Sequence, residues 1–281
     1  MAYPTVSAPY GLKPINLIGG QVFSGSTREL PIQYGYATNI FYGDFVVLSR
    51  GFATRAAVST GTGANQVTGI FLGCSYTNPL TKQKTFSQYW PASTLAGDAV
   101  AIVCDDPDTV FKAVVCSSGT TVASGGLALI GTNLSMIDNS TGNVNTGDSS
   151  NAVLAPTATP VSTILPVRCV GVVPDTAYSF SATGSSSSTT ITLTGAGTPQ
   201  AIPVGASVGY LASNGQLINT GSFVATAAAA GATSVTLNAA IAVPGAVTAI
   251  PSSSTVVFTV YPEILVKLNL LVHGYYSSTT A

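Results

Sequence analysis

Three carboxylates packed into Asp105-Asp106-Pro107-Asp108 are the most chemically suggestive residues in the chain. Carboxylates this close could hold a hard cation such as Ca²⁺, if carbonyl oxygens completed its shell, or divide into a general acid and a general base. The same residues sit between two apolar, β-branched runs, 99–104 and 109–116, and Asp and Pro are favoured turn formers. A turn is therefore expected, with a Ca²⁺ site on Asp105, Asp106 and Asp108 as the alternative. The single histidine, His273, follows the apolar run Leu270-Leu271-Val272 near the end of the sequence and reads as structural or surface. Four cysteines, Cys74, Cys104, Cys116 and Cys169, are widely spaced with no C-x-x-C pair, so a zinc or iron–sulfur centre is not expected. Three of them continue alternating strand patterns and read as buried free thiols, with late oxidation to disulfides as the alternative. Gly61-Thr62-Gly63 lacks the lysine and helix of a phosphate loop. No cofactor is expected, and the chain is not expected to be an enzyme.

Composition points the same way. Hydrophobic residues make up 46% of the chain and charged residues only 7%, against roughly 25% charged in ordinary soluble domains. A net charge of −1 supplies no field for gripping nucleic acid or an anionic membrane. Neither partner is expected. The longest apolar stretch, 224–250, is broken by Thr226, Thr233, Ser234, Thr236, Asn238 and Pro244 and does not read as a membrane span. The start, Met1-Ala2-Tyr3-Pro4-Thr5, has neither the basic residues nor the apolar run of a secretory signal, so synthesis in a cytoplasm is expected. A surface this poor in charge favours self-association.

Such residues must be positioned by strands. Short β-branched runs recur, among them 44–48, 99–104, 111–116, 167–173, 189–194, 233–237, 255–261 and 264–271, with Gly, Asn, Ser and Pro clusters between them. No apolar stripe of helical period and length appears. The predicted class is all-β: a small barrel or sandwich body with an extended N-terminal arm and an inserted second β-sandwich or barrel. Pro4, Pro9 and Pro14 recur at every fifth position, and proline fixes φ and removes a donor. Residues 1–20 are thus predicted to be an arm and not a ladder strand. It would lie across a neighbouring subunit or strap the protein's own barrel. From Thr176 to Pro262 no residue is charged, and charge resumes at Glu263. The simplest division is a body of 21–175 plus 258–281 and an inserted, uncharged, Ig-like or barrel domain at 176–257. Gly43-Asp44-Phe45-Val46-Val47-Leu48 and Gly69-Ile70-Phe71-Leu72-Gly73 suit paired strands of the body. Phe86-Ser87-Gln88-Tyr89-Trp90-Pro91 holds the densest aromatic group, which suits either a core or an intersubunit anchor.

Several segments, taken in order, resemble a family of virion structural proteins of tailed bacteriophages. They are Ala8-Pro9-Tyr10-Gly11-Leu12-Lys13-Pro14, Leu17-Ile18-Gly19-Gly20, Gly25-Ser26-Thr27-Arg28, the stretch 35–44, 86–94, Asp105 to Lys112, and Glu263-Ile264-Leu265-Val266-Lys267-Leu268-Asn269. Together the resemblance covers about residues 1–175 and 263–281. It implies a head protein similar to capsid decoration, or cement, proteins on the virion exterior. Such proteins clamp adjacent subunits of the major capsid protein and associate with copies of themselves, a trimer being favoured and a dimer the alternative. On this reading the contact candidates are Tyr3, Pro4, Pro9, Tyr10, Leu12, Pro14, Tyr89 and Trp90. The insert would face solvent, with weak host-surface glycan contact as a further role. A tail, neck or fibre protein and a carbohydrate-binding adhesin are the rival readings.

Overall fold

A computed structural model describes residues 6–57, 67–156, 165–186, 188–241 and 249–269. The chain begins with β1 (Lys13–Leu17), β2 (Arg28–Pro31) and the hairpin β3 (Phe45–Ser49) and β4 (Phe52–Arg55). Next come β5 (Gly69–Thr77), β6 (Lys84–Ser87), β7 (Val100–Cys104) and the long β8 (Thr109–Ser118). Four very short strands follow: β9 (Thr121–Val122), β10 (Asn133–Leu134), β11 (Met136–Ile137) and β12 (Ala152–Leu154). After β13 (Val167–Val172) the uncharged stretch forms β14 (Tyr178–Ser186), β15 (Thr190–Leu193), β16 (Ser207–Leu211), β17 (Leu217–Phe223), β18 (Ser234–Thr236) and β19 (Ile250–Val260). Finally β20 (Glu263–Leu268) returns to the body. The fold is all-β: two short 3-10 turns, Leu127–Leu129 and Pro174–Thr176, are the only helical segments among the described residues.

The body has two sheets. One runs β2-β7-β5-β3-β4, with β6 also on β5; the other runs β10-β13-β20-β8-β12-β11, with β1 and β9 also on β8. Strand β8 is apolar on consecutive positions because both of its faces are covered. Phe111, Ala113 and Val115 join Phe45, Ile70 and Cys104 of the first sheet in the main core, while Val114 and Cys116 pack on the opposite side with Ile137 and Ala152. A second body core surrounds Trp90, which is fully buried and meets Tyr76 edge-on at 5.4 Å. The paired-strand reading of the Gly-Asp motif is realised directly, with Phe45 opposite Ile70 and Val46 opposite Gly69.

The inserted sheet runs β17-β16-β19-β14-β15-β18 around its own core of Ile191, Val208, Val256 and Phe258. Its two outer strands meet end to end. Val224 bridges Leu237, and the N–H groups of Ala225 and Asn238 donate to the carbonyls of Thr236 and Phe223. That near-closure into a barrel satisfies backbone groups that open edges would leave to pair with other chains. Strand β19 continues to Val260, three residues past the expected end of the insert at 257, because Tyr178 at the start of β14 pairs with Val260.

The arm also needs correction. Residues 13–17 are a ladder strand, with Lys13 opposite Lys112 and Pro14 opposite Phe111. Proline is tolerated there because β1 joins the sheet through β8 alone and the ladder shifts at a bulge just after Pro14. Upstream, Leu12 N–H donates to the Gly43 carbonyl and Gly11 N–H to Asn151. Gly11 and Gly43 lie so close that a Cβ on Gly11 would stand 2.8 Å from the Gly43 carbonyl oxygen. A side chain at either position would push the segment off the body.

All four cysteines are free and buried. Burial pushes the Cys74 thiol up to about 12 and those of Cys116 and Cys169 up to about 11. Burial raises Cys104 as well. Because the thiolate is the reactive species, the native protein should leave a thiol-reactive probe unconsumed near neutral pH and react at all four positions once denatured. Rapid labelling of the native chain would contradict this packing.

Candidate interaction surface

Strand β1 and the turn after it carry three outward-facing aliphatic residues. Ile15 is 40%, Ile18 48% and Val22 79% exposed, and their spacing around Gly19-Gly20 is that of a hairpin tip. Leu17 N–H donates to the Gln21 carbonyl, and Asn16 bridges Val22. The irregularity between Pro14 and Asn16 leaves Ile15 out of the regular register with β8.

The acidic turn lies directly beside this tip, since Ile18 N–H donates to the Asp108 carbonyl at 2.9 Å. Asp106 closes the turn: its Oδ1 accepts from Asp108 N–H and its carbonyl from Thr109 N–H. The three carboxylates are engaged separately. Asp105 faces Arg28 Nε at 2.9 Å, and Asp108 lies 3.5 Å from Lys267 Nζ. Among the described residues no group of three His, Cys, Asp or Glu side chains gathers as a metal would require. Residues 105–108 thus form the expected turn, with Asp105 directed to Arg28 of β2 and Asp108 to Lys267 of β20. Arg168 and Lys267 face each other across β13 and β20, and with Ile18 and Val170 they line a shallow cavity of about 250 Å³. An apolar tip with a rim of alternating charge results. Its ion pairs are partly exposed, so each adds at most about 1 kcal/mol to stability. They matter more for orienting a partner.

Farther along the same strands stands a tighter cluster. Tyr10 donates its hydroxyl to Glu263 Oε1, and Lys112 Nζ lies 3.3 Å from the same oxygen. Lys13 sits 4.5 Å from the centre of the Tyr10 ring and 3.2 Å from Asp148. Burial, reinforced by the Glu263 carboxylate, holds the Tyr10 hydroxyl far above the usual tyrosine range, so it remains a donor. Glu263 is 2% exposed, and its second oxygen makes no hydrogen bond. This cluster fastens the N-terminal segment to the body.

The expected contact residues divide accordingly. Tyr3 and Pro4 lie outside the described residues, as does His273. Pro9 and Leu12 are buried in the protein's own body, Tyr10 is half-buried and committed to Glu263, and Pro14 is in the ladder. Trp90 is fully buried, its indole N–H donating to the Tyr36 carbonyl, so it cannot serve as an intersubunit anchor. Tyr89 stacks on Phe41 at 5.5 Å and is half-buried. The adjacent Phe86, 77% exposed, is the aromatic of that segment that a partner could reach. Proline spacing and aromatic density drew attention to these segments but could not say which face each side chain takes. The aliphatic residues around Gly19-Gly20 were the more informative signal.

One further spacing, Gly205-Ala206-Ser207-Val208-Gly209, matches that of a nucleophile elbow. Ser207 instead opens strand β16, and its hydroxyl accepts from Leu127 N–H. It sits on no strand-to-helix turn. Comparison of the chain with protein-family models, curated proteins and solved structures finds no match.

Proposed function

We propose that the chain is a structural virion protein that decorates and cements a phage capsid. Its partners on this reading are the major capsid protein and copies of itself, a trimer being favoured, on the outside of the shell. The carrying observation is the exposed aliphatic tip of Ile15, Ile18 and Val22 beside the charged turn at 105–108. Ile18 and residues 105–108 lie in segments that carry the resemblance to virion structural proteins. An apolar centre with a polar rim is the usual anatomy of a protein contact. Repetition of one modest contact around an oligomer multiplies its effect through effective concentration. The nearly closed inserted barrel adds an uncharged module to the body.

Co-sedimentation with expanded shells tests this reading. Ile18→Asp should remove the transfer free energy of one buried aliphatic side chain, about 1.5–3 kcal/mol, and so weaken binding roughly 10- to 100-fold. The cooperative unfolding of the body should be unchanged, because Ile18 is half exposed. Undiminished shell binding by an Ile18→Asp, Val22→Asp double variant would reject the tip as the contact.

A further inference from the structure

A cleft of about 540 Å³ opens on the body, lined by Lys13 of β1, Tyr42, Phe86 and Ser87 of β6, and Gln88. That volume lies within the range of about 300–1,000 Å³ usual for small-ligand sites. Phe86 is exposed, but single apolar side chains are common on protein surfaces. The polar groups gathered beside it are what point to a ligand. Gln88 Nε2 donates to Asp148 Oδ1 at 3.3 Å, and Lys13 Nζ lies 3.2 Å from the same oxygen. Among the described residues, Gln88 Oε1 and Asp148 Oδ2 accept no hydrogen bond, and the Tyr42 hydroxyl makes none. Burial and the Asp148 carboxylate hold that hydroxyl above the usual tyrosine range, so it stays a donor. The backbone fixes the arrangement. Tyr42 bridges Asp148, and its N–H donates to the Gly147 carbonyl at 2.9 Å. Gly147 has φ +80° and lies against Gln88, where a Cβ would come within 2.8 Å of the Gln88 Cβ.

We propose that this cleft binds a neutral saccharide, one pyranose ring lying on Phe86 with its hydroxyls turned to Gln88, Asp148, Tyr42 and Lys13. A pyranose presents a face of C–H groups, which suits the electron-rich face of an aromatic ring. Each of its hydroxyls both donates and accepts. The cleft answers both needs, with acceptors on Gln88 and Asp148 and donors on Tyr42 and Lys13. Lys13 and Asp148 neutralise each other, which leaves no net charge to favour an acidic sugar or a phosphate. A purely apolar occupant would strip water from these polar groups without replacing its hydrogen bonds, at a cost in affinity. Saccharide contact thereby falls to the body and not to the insert. The inference is independent of the capsid reading.

Saturation-transfer NMR on the full chain tests this, with lactose, cellobiose, mannobiose and chitobiose as probes. At least one of them should receive saturation on its ring C–H protons. Phe86→Ala should abolish that transfer, and Phe86→Trp should retain it. Gln88→Ala should weaken binding roughly 10-fold, the equivalent of one lost hydrogen bond. Because Phe86 is exposed, its replacement should leave the unfolding transition where it is. Absence of transfer to every probe overturns the proposal. Transfer that survives Phe86→Ala overturns it too, by placing the sugar elsewhere on the chain. Stronger transfer to N-acetylneuraminic acid than to any neutral probe overturns the assignment of a neutral ligand. Sedimentation of the parent and Phe86→Ala chains should give the same mass. An oligomer that dissociates on Phe86→Ala would overturn the proposal by showing that a second copy covers the cleft.

Discussion

Replacing Asp44 with alanine should cost the folded body about 3–5 kcal/mol, the usual penalty for breaking a buried ion pair by removing one partner. Asp44 is completely buried. Its Oδ1 accepts from Ser149 Oγ at 2.5 Å and Asn151 Nδ2 at 2.9 Å. Its Oδ2 accepts from Phe41 N–H at 2.9 Å and lies 3.3 Å from Arg55 Nε, which is not aligned for a hydrogen bond. Arg55 also pairs with Asp138, and its own backbone N–H donates to the Tyr36 hydroxyl. Segments far apart in sequence thus converge on one carboxylate. Alanine would leave three donors without their acceptor and Arg55 with a single anion. Urea titration measures the loss, and a change below about 1 kcal/mol, the scale of one ordinary hydrogen bond, would show that water or rearrangement replaces the carboxylate.

The pH dependence of that loss is also defined. Burial pushes the Asp44 carboxyl above the ordinary carboxylate range, against the pull of Ser149, the Phe41 N–H and Arg55. Between the ordinary value, about pH 4, and the raised one, the folded chain holds a proton that the unfolded chain has released. Asp44 therefore contributes stability below about pH 4 that is lost as the pH rises through its folded value. Asp44→Asn should remove this component, leaving a flatter stability profile over the same interval.

The strands were legible because their chemistry is local. Alternation marks β15, the consecutive apolar residues of β8 mark a strand covered on both faces, and Asp and Pro mark the turn at 105–108. The charge gap coincides with a nearly closed sheet that has an apolar core of its own and needs no charged side chain. Residues 13–17 were less legible. Three prolines describe where hydrogen bonds are difficult, yet the ladder to β8 forms across nearly a hundred residues and is favoured by covering its apolar edge. Trp90 shows the same limit: an aromatic side chain suits a core and an interface equally, and only the packing of Tyr76 and the Tyr36 carbonyl decides between them. Ile15 sits at a bulge, which a period-two pattern does not encode.

Gly205→Val should separate the unfolding of the insert from that of the body. Short connections join the two units, from Val172 to Tyr178 and from Val260 to Glu263, and between them lies a seam of backbone contacts. Ser124 N–H donates to the Val204 carbonyl at 2.8 Å, Gly125 N–H to the Tyr261 carbonyl at 2.8 Å, and Tyr261 N–H to Ser124 Oγ at 2.9 Å. Val204 and Phe223 of the insert are buried in the main core of the body. Gly205 has φ +82°, and a Cβ there would lie 1.9 Å from the Ser124 carbonyl oxygen. Valine therefore meets a left-handed backbone that costs an L-residue about 1–2 kcal/mol and a collision that only displacement of the seam can relieve. The barrel's own hydrogen bonds along β14 and β19 lie away from the collision and should persist. Calorimetry should resolve two transitions in the variant and one in the parent chain, and protease should gain access near 174–177. One unshifted transition would mean that the seam contributes no coupling, and that the shared burial of Val204 and Phe223 is sufficient to hold insert and body together.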